Sequence, residues 1–427
     1  MNYTQCFEHD RLYRAGSPIS TRLGVVELPA SLFDWLLSQV GQPNGQWLRL
    51  DAMGRVPVLK AQQYAGVVRS PCGHVLEILP KTGHAGHTPA QARRVLLTML
   101  SHLPDFHALQ LGSAAVAHAQ VPLLEVFIGL ALTQFEQLLH HGLRSHYVSQ
   151  HAQRPVLRGK LLMAQQLKHN IAHRERFYTE HDEYVRNRAE NRLIRAALRC
   201  TLQWTRHARH RHRAHALDQR LLDIPPATQI EQDLRQVQLD RNMQHYQAPL
   251  AWATLILGAA KPLAGAGSAE ALSLLFDLNR LFEKTVEVAI QKQLPSGHQL
   301  LAQHAQQRML KQGHSEQRPL KPDLLYQIEG RAHAILDAKW KLLTCASMAD
   351  IAADDLHQMA LYAAAYLPNG GTVYLIYPQT PQFQTLTRGW YFQHVAAGKV
   401  ELCLLPFCVE QWRLLDHEML MHLQSPD

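Results

Sequence analysis

A chain of 427 residues exceeds what one simple hydrophobic core accommodates, so two or three domains are expected. A content of 46% hydrophobic and only 18% charged residues excludes an intrinsically disordered chain. The formal net charge of +8, before any of the 27 histidines is counted, favours a polyanionic partner, either nucleic acid or an acidic protein surface.

The N-terminal "MNYTQCFEHDR" is polar and lacks the apolar run of a secretion signal. The most apolar stretches, near 122–133 and 248–260, are too short to cross a bilayer. Cys6, Cys72, Cys200, Cys345, Cys403 and Cys408 show no CxxC pair and no zinc-ribbon spacing, as in a reducing compartment. The expectation is a cytoplasmic protein without a membrane partner.

Along the chain, "ASLFDWLLSQV" at 30–40 reads as a short amphipathic helix with Ser31 as its cap. "GRVPVLKAQQYAGVVRS" and "GHVLEILPKTG" are short strand-like runs punctuated by Gly, Pro and Ser. A helix follows over "AQARRVLLTMLSHL", and another over 122–145 ends at Gly142, a plausible left-handed terminator. "RPVLRGKLLM" reads as extended, and 183–222 as one long helical stretch with Leu193, Ala197 and Leu198 on its apolar side. "AGAGSAEALSLLF" offers a flexible join followed by a new helix, which places a boundary near 262–268. Beyond it the order is helix (270–293), strand (323–328), strand (332–340), helix (353–367) and strand (371–377), the outline of an α/β core. Three regions are expected: β-rich 1–120, mainly helical 121–262, and α/β 263–427.

The chemistry concentrates in "KPDLLYQIEGRAHAILDAKWK" at 321–341. Alternation along a strand puts Asp337 and Lys339 on one side, while Asp323 follows Pro322 at the start of the partner strand and "EG" supplies the turn. Two facing carboxylates can share Mg²⁺ through hard oxygens, with a lysine beside them to steer water and offset phosphate charge. Asp-x-Lys alone is a common surface pair. Here Asp337 lies among "AIL" and Trp340, where an unpaired carboxylate is unfavourable. Glu283 on the preceding helix could supply a third carboxylate, and Gln358 and Tyr362, four apart on the later helix, could reach DNA or the edge of the site.

This assembly resembles the PD-(D/E)xK nuclease superfamily, and more narrowly the McrC family, the nuclease subunits of McrBC-type restriction systems. "PDLLYQIEGRAHAILDAKWK" resembles the nuclease signature with Asp323, Asp337 and Lys339 at its positions, and "LLFDLNRLFEKTVE" the helix before it, with Glu283 at the acidic position. "LRGKLLMAQQLKHN…RFYTEHDEYVRNRAENRLIRAAL" is similar to the family's central block, and "YAGVVRSPCGHVLEILPKTG" to its N-terminal block. The resemblance implies a restriction-endonuclease-like C-terminal core that cuts double-stranded, modified DNA with Mg²⁺, or Mn²⁺ in its place. It also implies a GTP-hydrolysing AAA+ partner of the McrB type, on which the N-terminal region docks and whose hydrolysis it stimulates. No GxxxxGK[ST] phosphate loop occurs in the chain, consistent with no nucleotide bound by this subunit itself.

"RHARHRHRAH" at 206–215 holds four arginines and four histidines, and Arg209, Arg211 and Arg213 are candidate DNA contacts together with Lys341, Gln358 and Tyr362. A solvated helix face explains the basic run equally well. Two other functions stay open on sequence alone: a non-catalytic activator of an NTPase ring, and a freestanding RecB-like exonuclease.

Overall fold

The computed structural model describes residues 3–19, 23–42, 45–82, 88–101, 120–173, 175–260, 272–305, 307–312, 315–343 and 347–414. The chain divides into two compact units, Met1–Leu123 with Pro262–Asp427, and Leu124–Lys261. The N-terminal and C-terminal segments, read from sequence as separate regions, therefore share one unit.

That unit begins with β1 (Tyr3–Phe7), β2 (Arg11–Arg14), β3 (Val25–Leu28), α1 (Ala30–Gln39), β4 (Leu48–Met53), β5 (Val56–Ala61), β6 (Tyr64–Arg69), β7 (Val75–Leu79) and α2 (Pro89–Ser101). One sheet runs β3-β2-β5-β4, and β1, β7 and β6 are neighbours in a second. Leu12, Leu28, Phe33, Leu36, Leu59 and Ile78 form the core between them. The expected Ser31 cap is not found. Pro29 occupies the cap position without a side-chain bond, its carbonyl accepts from the N–H groups of Leu32 and Phe33, and Ser31 falls inside the first turn.

The second unit carries α3 (Leu123–His141), β8 (His146–Arg154), β9 (Lys160–Leu161), α4 (Met163–His169), β10 (Phe177–Val185), α5 (Ala189–Trp204), α6 (Ala208–Gln219), α7 (Ile230–Gln236) and α8 (Gln247–Ala259). Gly142 terminates α3 as expected, at φ +94° with its N–H on the Leu138 carbonyl. The long helix over 183–222 is not continuous. β10 ends at Val185, and α5 and α6 are separated at Thr205–His207. The Glu125 carboxylate accepts from the Thr205 hydroxyl (2.8 Å) and from the N–H groups of Arg206 (2.7 Å) and His207 (3.2 Å). It satisfies donors freed at the start of α6, a tertiary cap that local helix propensity cannot register.

The chain then returns to the first unit with β11 (Leu272–Asp277) and α9 (Leu278–Gln291). The expected helix over 270–293 is thus a strand followed by a shorter helix. "LSLLF" is an apolar run too short for its period to decide, and Asp277 starts the helix by accepting from the N–H groups of Asn279 (2.9 Å) and Arg280 (3.4 Å). β11 pairs antiparallel with β6, which explains why the two ends of the chain share a unit. Gly66 makes that pairing possible. It sits at φ +143°, and a Cβ there would collide with the Leu274 carbonyl. Gly66→Ala is expected to destabilise this unit by about 1–3 kcal/mol, read as a lowered midpoint in thermal or urea unfolding. An unchanged midpoint would show that the strands can part at no expense.

β12 (His298–Ala302), β13 (Gln307–Gln312), β14 (Ser315–Leu320), β15 (Leu324–Ile328), β16 (Arg331–Ala338), α10 (Ala353–Tyr366), β17 (Gly371–Pro378), β18 (Thr387–Phe392), β19 (Val400–Cys408) and β20 (Arg413–Leu414) complete the unit. The central sheet runs β12-β15-β16-β17-β19-β18, with β20 on β19. β15 and β16 form the expected hairpin, turned at Glu329 (φ +48°) and Gly330 (φ +77°). α10 crosses from β16 to its parallel neighbour β17, and Met359, Ala363 and Tyr366 pack with Leu325, Ile335, Val373 and Leu375. α9 packs through Phe282, edge-on to Trp340 and Phe407 at centroid distances of 5.4 and 5.7 Å.

Candidate active site

Asp337 is the last but one residue of β16, paired on one side with β15 and on the other with β17, and its side chain is fully buried. A carboxylate in that setting normally has its lone pairs satisfied. Neither oxygen here has a well-formed hydrogen bond, although the Lys339 ammonium stands 2.8 Å from Oδ2. Proximity without donor alignment makes the contact an ion pair and leaves acceptor capacity unused. Lys339 lies just past the strand, its backbone N–H tied to the Ile376 carbonyl at 2.9 Å.

Asp323 precedes β15, in the position where the hairpin brings it opposite the end of β16. Its Oδ2 accepts from the Ala338 N–H (3.2 Å) and its Oδ1 from the Gln303 amide (3.3 Å). The Gln303 N–H also donates to the Asp323 carbonyl at 2.8 Å, fixing the backbone on which the carboxylate stands.

Electrostatics bind these residues into one cluster. Burial, then the charges of Asp337 and Glu283, push the Asp323 carboxyl up to about 8. Burial likewise raises Asp337, opposed chiefly by the charge of Lys339. Glu283, half-buried on α9, is raised by burial and next by the charge of Asp337. Burial alone would lower Lys339, but Asp337, Asp323 and Asp355 outweigh it and leave it raised. Three carboxyls compete for too little positive charge, so a proton or a cation must sit among them.

The arrangement fits a divalent cation on its donor chemistry. Asp323 and Asp337 offer hard oxygens, and Asp337 has both of its own without hydrogen bonds. Among the described residues no three His, Cys, Asp or Glu side chains form a ready-made cage. A cation here would keep several ligands from water or substrate, the habit of Mg²⁺.

The other sequence candidates fall in two places. The Gln358 amide donates to the Tyr362 hydroxyl (2.9 Å), which donates to the Lys321 carbonyl (2.9 Å), two residues before Asp323. Burial raises the Tyr362 phenol, Gln358 opposes this, and Asp337 and Asp323 raise it further, so the pair borders the acidic cluster. Lys341 is held by Asp355 at 2.6 Å. Arg209, Arg211 and Arg213 belong to the other unit. Arg209 and Arg211 are exposed, whereas Arg213 is spent on Glu136 through two hydrogen bonds of 2.7 Å.

Sequence reasoning passed over Asp355 and Gln303. Asp355 lies in the first turn of α10, where an acidic residue ordinarily answers only the helix dipole. Its charge nevertheless reaches Asp337 and Lys339. Gln303 carries no signal of its own, since only the β12–β15 pairing brings it to Asp323.

Fold and site together define a mixed α/β protein with an acid–lysine cluster at the end of its central sheet. The chain belongs to the family described as McrBC 5-methylcytosine restriction system component, whose model matches residues 59–378. Among solved structures it is similar to a chain of the refined half-complex from a tetradecameric assembly of Thermococcus gammatolerans McrB AAA+ hexamers with bound McrC. That likeness has a TM-score of 0.69 at 18% identity and covers 96% of this chain and 95% of that one. A second likeness, to a chain of the cryo-EM structure of the Thermococcus gammatolerans McrBC complex, has a TM-score of 0.50 at 21% identity over 69% of this chain and 88% of that one. No curated protein matches the chain.

Proposed function

We propose that this chain is the DNA-cleaving subunit of a McrBC-type restriction complex, a PD-(D/E)xK phosphodiesterase that works with a AAA+ GTPase partner on modified double-stranded DNA. The observation that carries the reading is Asp337, a buried carboxylate with unused oxygens beside Asp323 and Lys339. In the family to which the chain belongs, the system acts on 5-methylcytosine, and a similar chain was solved with McrB AAA+ hexamers.

Asp323 and Asp337 would hold Mg²⁺, which when bound supplies Lewis-acid activation of water and charge for the phosphate oxygens. The chain's own groups do the rest. Lys339 Nζ, 2.8 Å from Asp337 Oδ2, would donate a hydrogen bond to a phosphate oxygen or to the attacking water and offset negative charge as it builds. Glu283 adds a third carboxylate whose raised pKa suits it to hold a proton near the leaving group. Tyr362, through the Lys321 carbonyl, keeps the Asp323 segment in place.

The test uses the purified chain with its AAA+ partner, GTP and plasmid DNA with or without methylcytosine. Cleavage that needs Mg²⁺ or Mn²⁺, stops on chelation and returns with added metal is expected. Undiminished cutting in excess chelator would remove the proposed chemistry.

A further inference from the structure

One element next to the site has no part in the central sheet. Among the described residues β13 and β14 pair only with each other, as a two-stranded antiparallel ribbon inserted between β12 and β15. Both of its legs are tied to the acidic cluster. The incoming leg leaves from Gln303, which holds Asp323 by backbone and side chain. The outgoing leg ends at Leu320, three residues before Asp323. The Tyr366 hydroxyl accepts from the Gln307 N–H (3.1 Å) and lies 2.7 Å from the Leu320 carbonyl and 3.1 Å from that of His304. Tyr362 holds the Lys321 carbonyl just beyond. The ribbon is thus clamped at its base by α10, within roughly 11 Å of chain from Asp323.

Its composition is one-sided. Residues 303–321 contain Arg308, Lys311, Arg318 and Lys321 against the single acid Glu316. At the base, Gln307, Arg308, Met309 and Lys321 are exposed. An open ribbon edge without a partner invites unwanted strand pairing unless charge or function occupies it. Six residues per strand give about 20 Å of length, and the major groove of B-DNA admits a two-stranded ribbon.

We infer that the β13–β14 ribbon, whose sequence carries Arg308, Lys311 and Arg318, is a DNA-contacting element that lies along duplex DNA beside the scissile phosphate, with the exposed Arg308 and Lys321 at its base facing phosphates. The inference rests on the nuclease reading of the adjoining site and adds the surface that would seat its substrate. The charge matches a polyanion, and the base of the ribbon is continuous with the place where a phosphate would be cut. A protein surface on the AAA+ partner is the competing occupant, and the test separates the two.

The experiment measures binding of the full chain in complex with its partner to a fluorescent duplex of about 30 base pairs across a salt series. Asp337→Asn is carried throughout so that cutting does not intrude. Arg308→Ala, Lys311→Ala and Arg318→Ala are combined, and Arg308→Gln is made separately as a milder change that removes one charge. The triple variant is expected to bind about 10- to 100-fold more weakly, with the slope of log affinity against log salt reduced by roughly two to three, about 0.9 per lost phosphate contact. Unchanged affinity and slope in both variants, or no binding even with an intact ribbon, would overturn the proposal. So would unchanged DNA binding with loss of partner GTPase stimulation, which would assign the ribbon to the protein partner. Cleavage by the complex with Asp337 restored is scored separately. Metal-dependent cutting with a salt-indifferent ribbon rejects the ribbon alone, whereas no cutting rejects the nuclease reading itself.

Discussion

Asp337→Asn is expected to abolish DNA cleavage and, in the same preparation, to leave the chain at least as stable as before. The two effects have one cause. Asp337 is buried without hydrogen bonds on either oxygen, and burial disfavours its charged form. A neutral amide of the same shape removes that penalty, so stability should hold or rise by about 1–3 kcal/mol, even with the Lys339 pair lost. The ammonium keeps water and the charges of Asp323 and Asp355. Activity moves the other way, because the amide cannot share a cation with Asp323, and a loss of roughly a thousandfold or more is expected. Lys339→Met should cost comparable activity but lower stability, since it strands the buried carboxylate. Plasmid cleavage by the partnered complex and unfolding of the isolated chain read the two axes. If the Asp337→Asn complex cut within tenfold of the unaltered one, the cluster would be a packing feature rather than a reaction centre.

That combination, stability given up locally for chemistry, also explains what could be read from the chain beforehand. The hairpin was legible because Glu329 and Gly330 announce a turn and because β15 and β16 are apolar on both sides of it. Asp323, Asp337 and Lys339 stood out as violations of that apolar pattern, and violations of local rules gather at functional sites. The crossover helix and β17 were legible as the expected helix over 353–367 and strand over 371–377. What escaped notice depends on partners distant in sequence. Glu125 divides a helix that propensity alone would run straight through 205–207. β11 is a strand because β6 with Gly66 awaits it, not because "LSLLF" prefers one. Asp355 looks like any acid at a helix start until β16 is placed beside it. The ribbon at 307–320 has too few apolar positions for a period, and only its pairing and its tyrosine anchors reveal it.

The most remote of these partnerships joins the N-terminal sheet to the signature itself. Glu8, after β1, is 2% exposed, and its Oε1 accepts from the Trp340 indole (2.7 Å) and from the Lys81 N–H (2.9 Å). Its Oε2 has no hydrogen bond, and the His9 ring, whose pKa burial and nearby Lys60 and Lys81 lower, stands 3.8 Å away. Lys81 Nζ is turned to Asp10 at 3.1 Å instead. Burial is the main reason the Glu8 carboxyl is pushed up to about 7, against the pull of Trp340 and Lys81. A carboxyl whose folded value lies above its unfolded value binds a proton more tightly when folded. Its contribution is therefore full below the unfolded value of about 4.5 and disappears as pH rises through about 7. The loss amounts to about 3 kcal/mol between those limits. Glu8→Gln keeps an acceptor for the indole and removes the titration. The variant and the unaltered chain should unfold alike near pH 5, then diverge, the glutamine form melting several degrees higher by pH 8. The assay is thermal unfolding of both proteins over pH 5–8.5. A gap that stays constant across that range would mean Glu8 does not titrate there. Because Trp340 directly follows Lys339 and rests on Phe282 beside Glu283, Glu8→Ala should also impair cleavage where Glu8→Gln does not. Equal cleavage by the two variants would show that the indole needs no anchor from the N-terminal sheet.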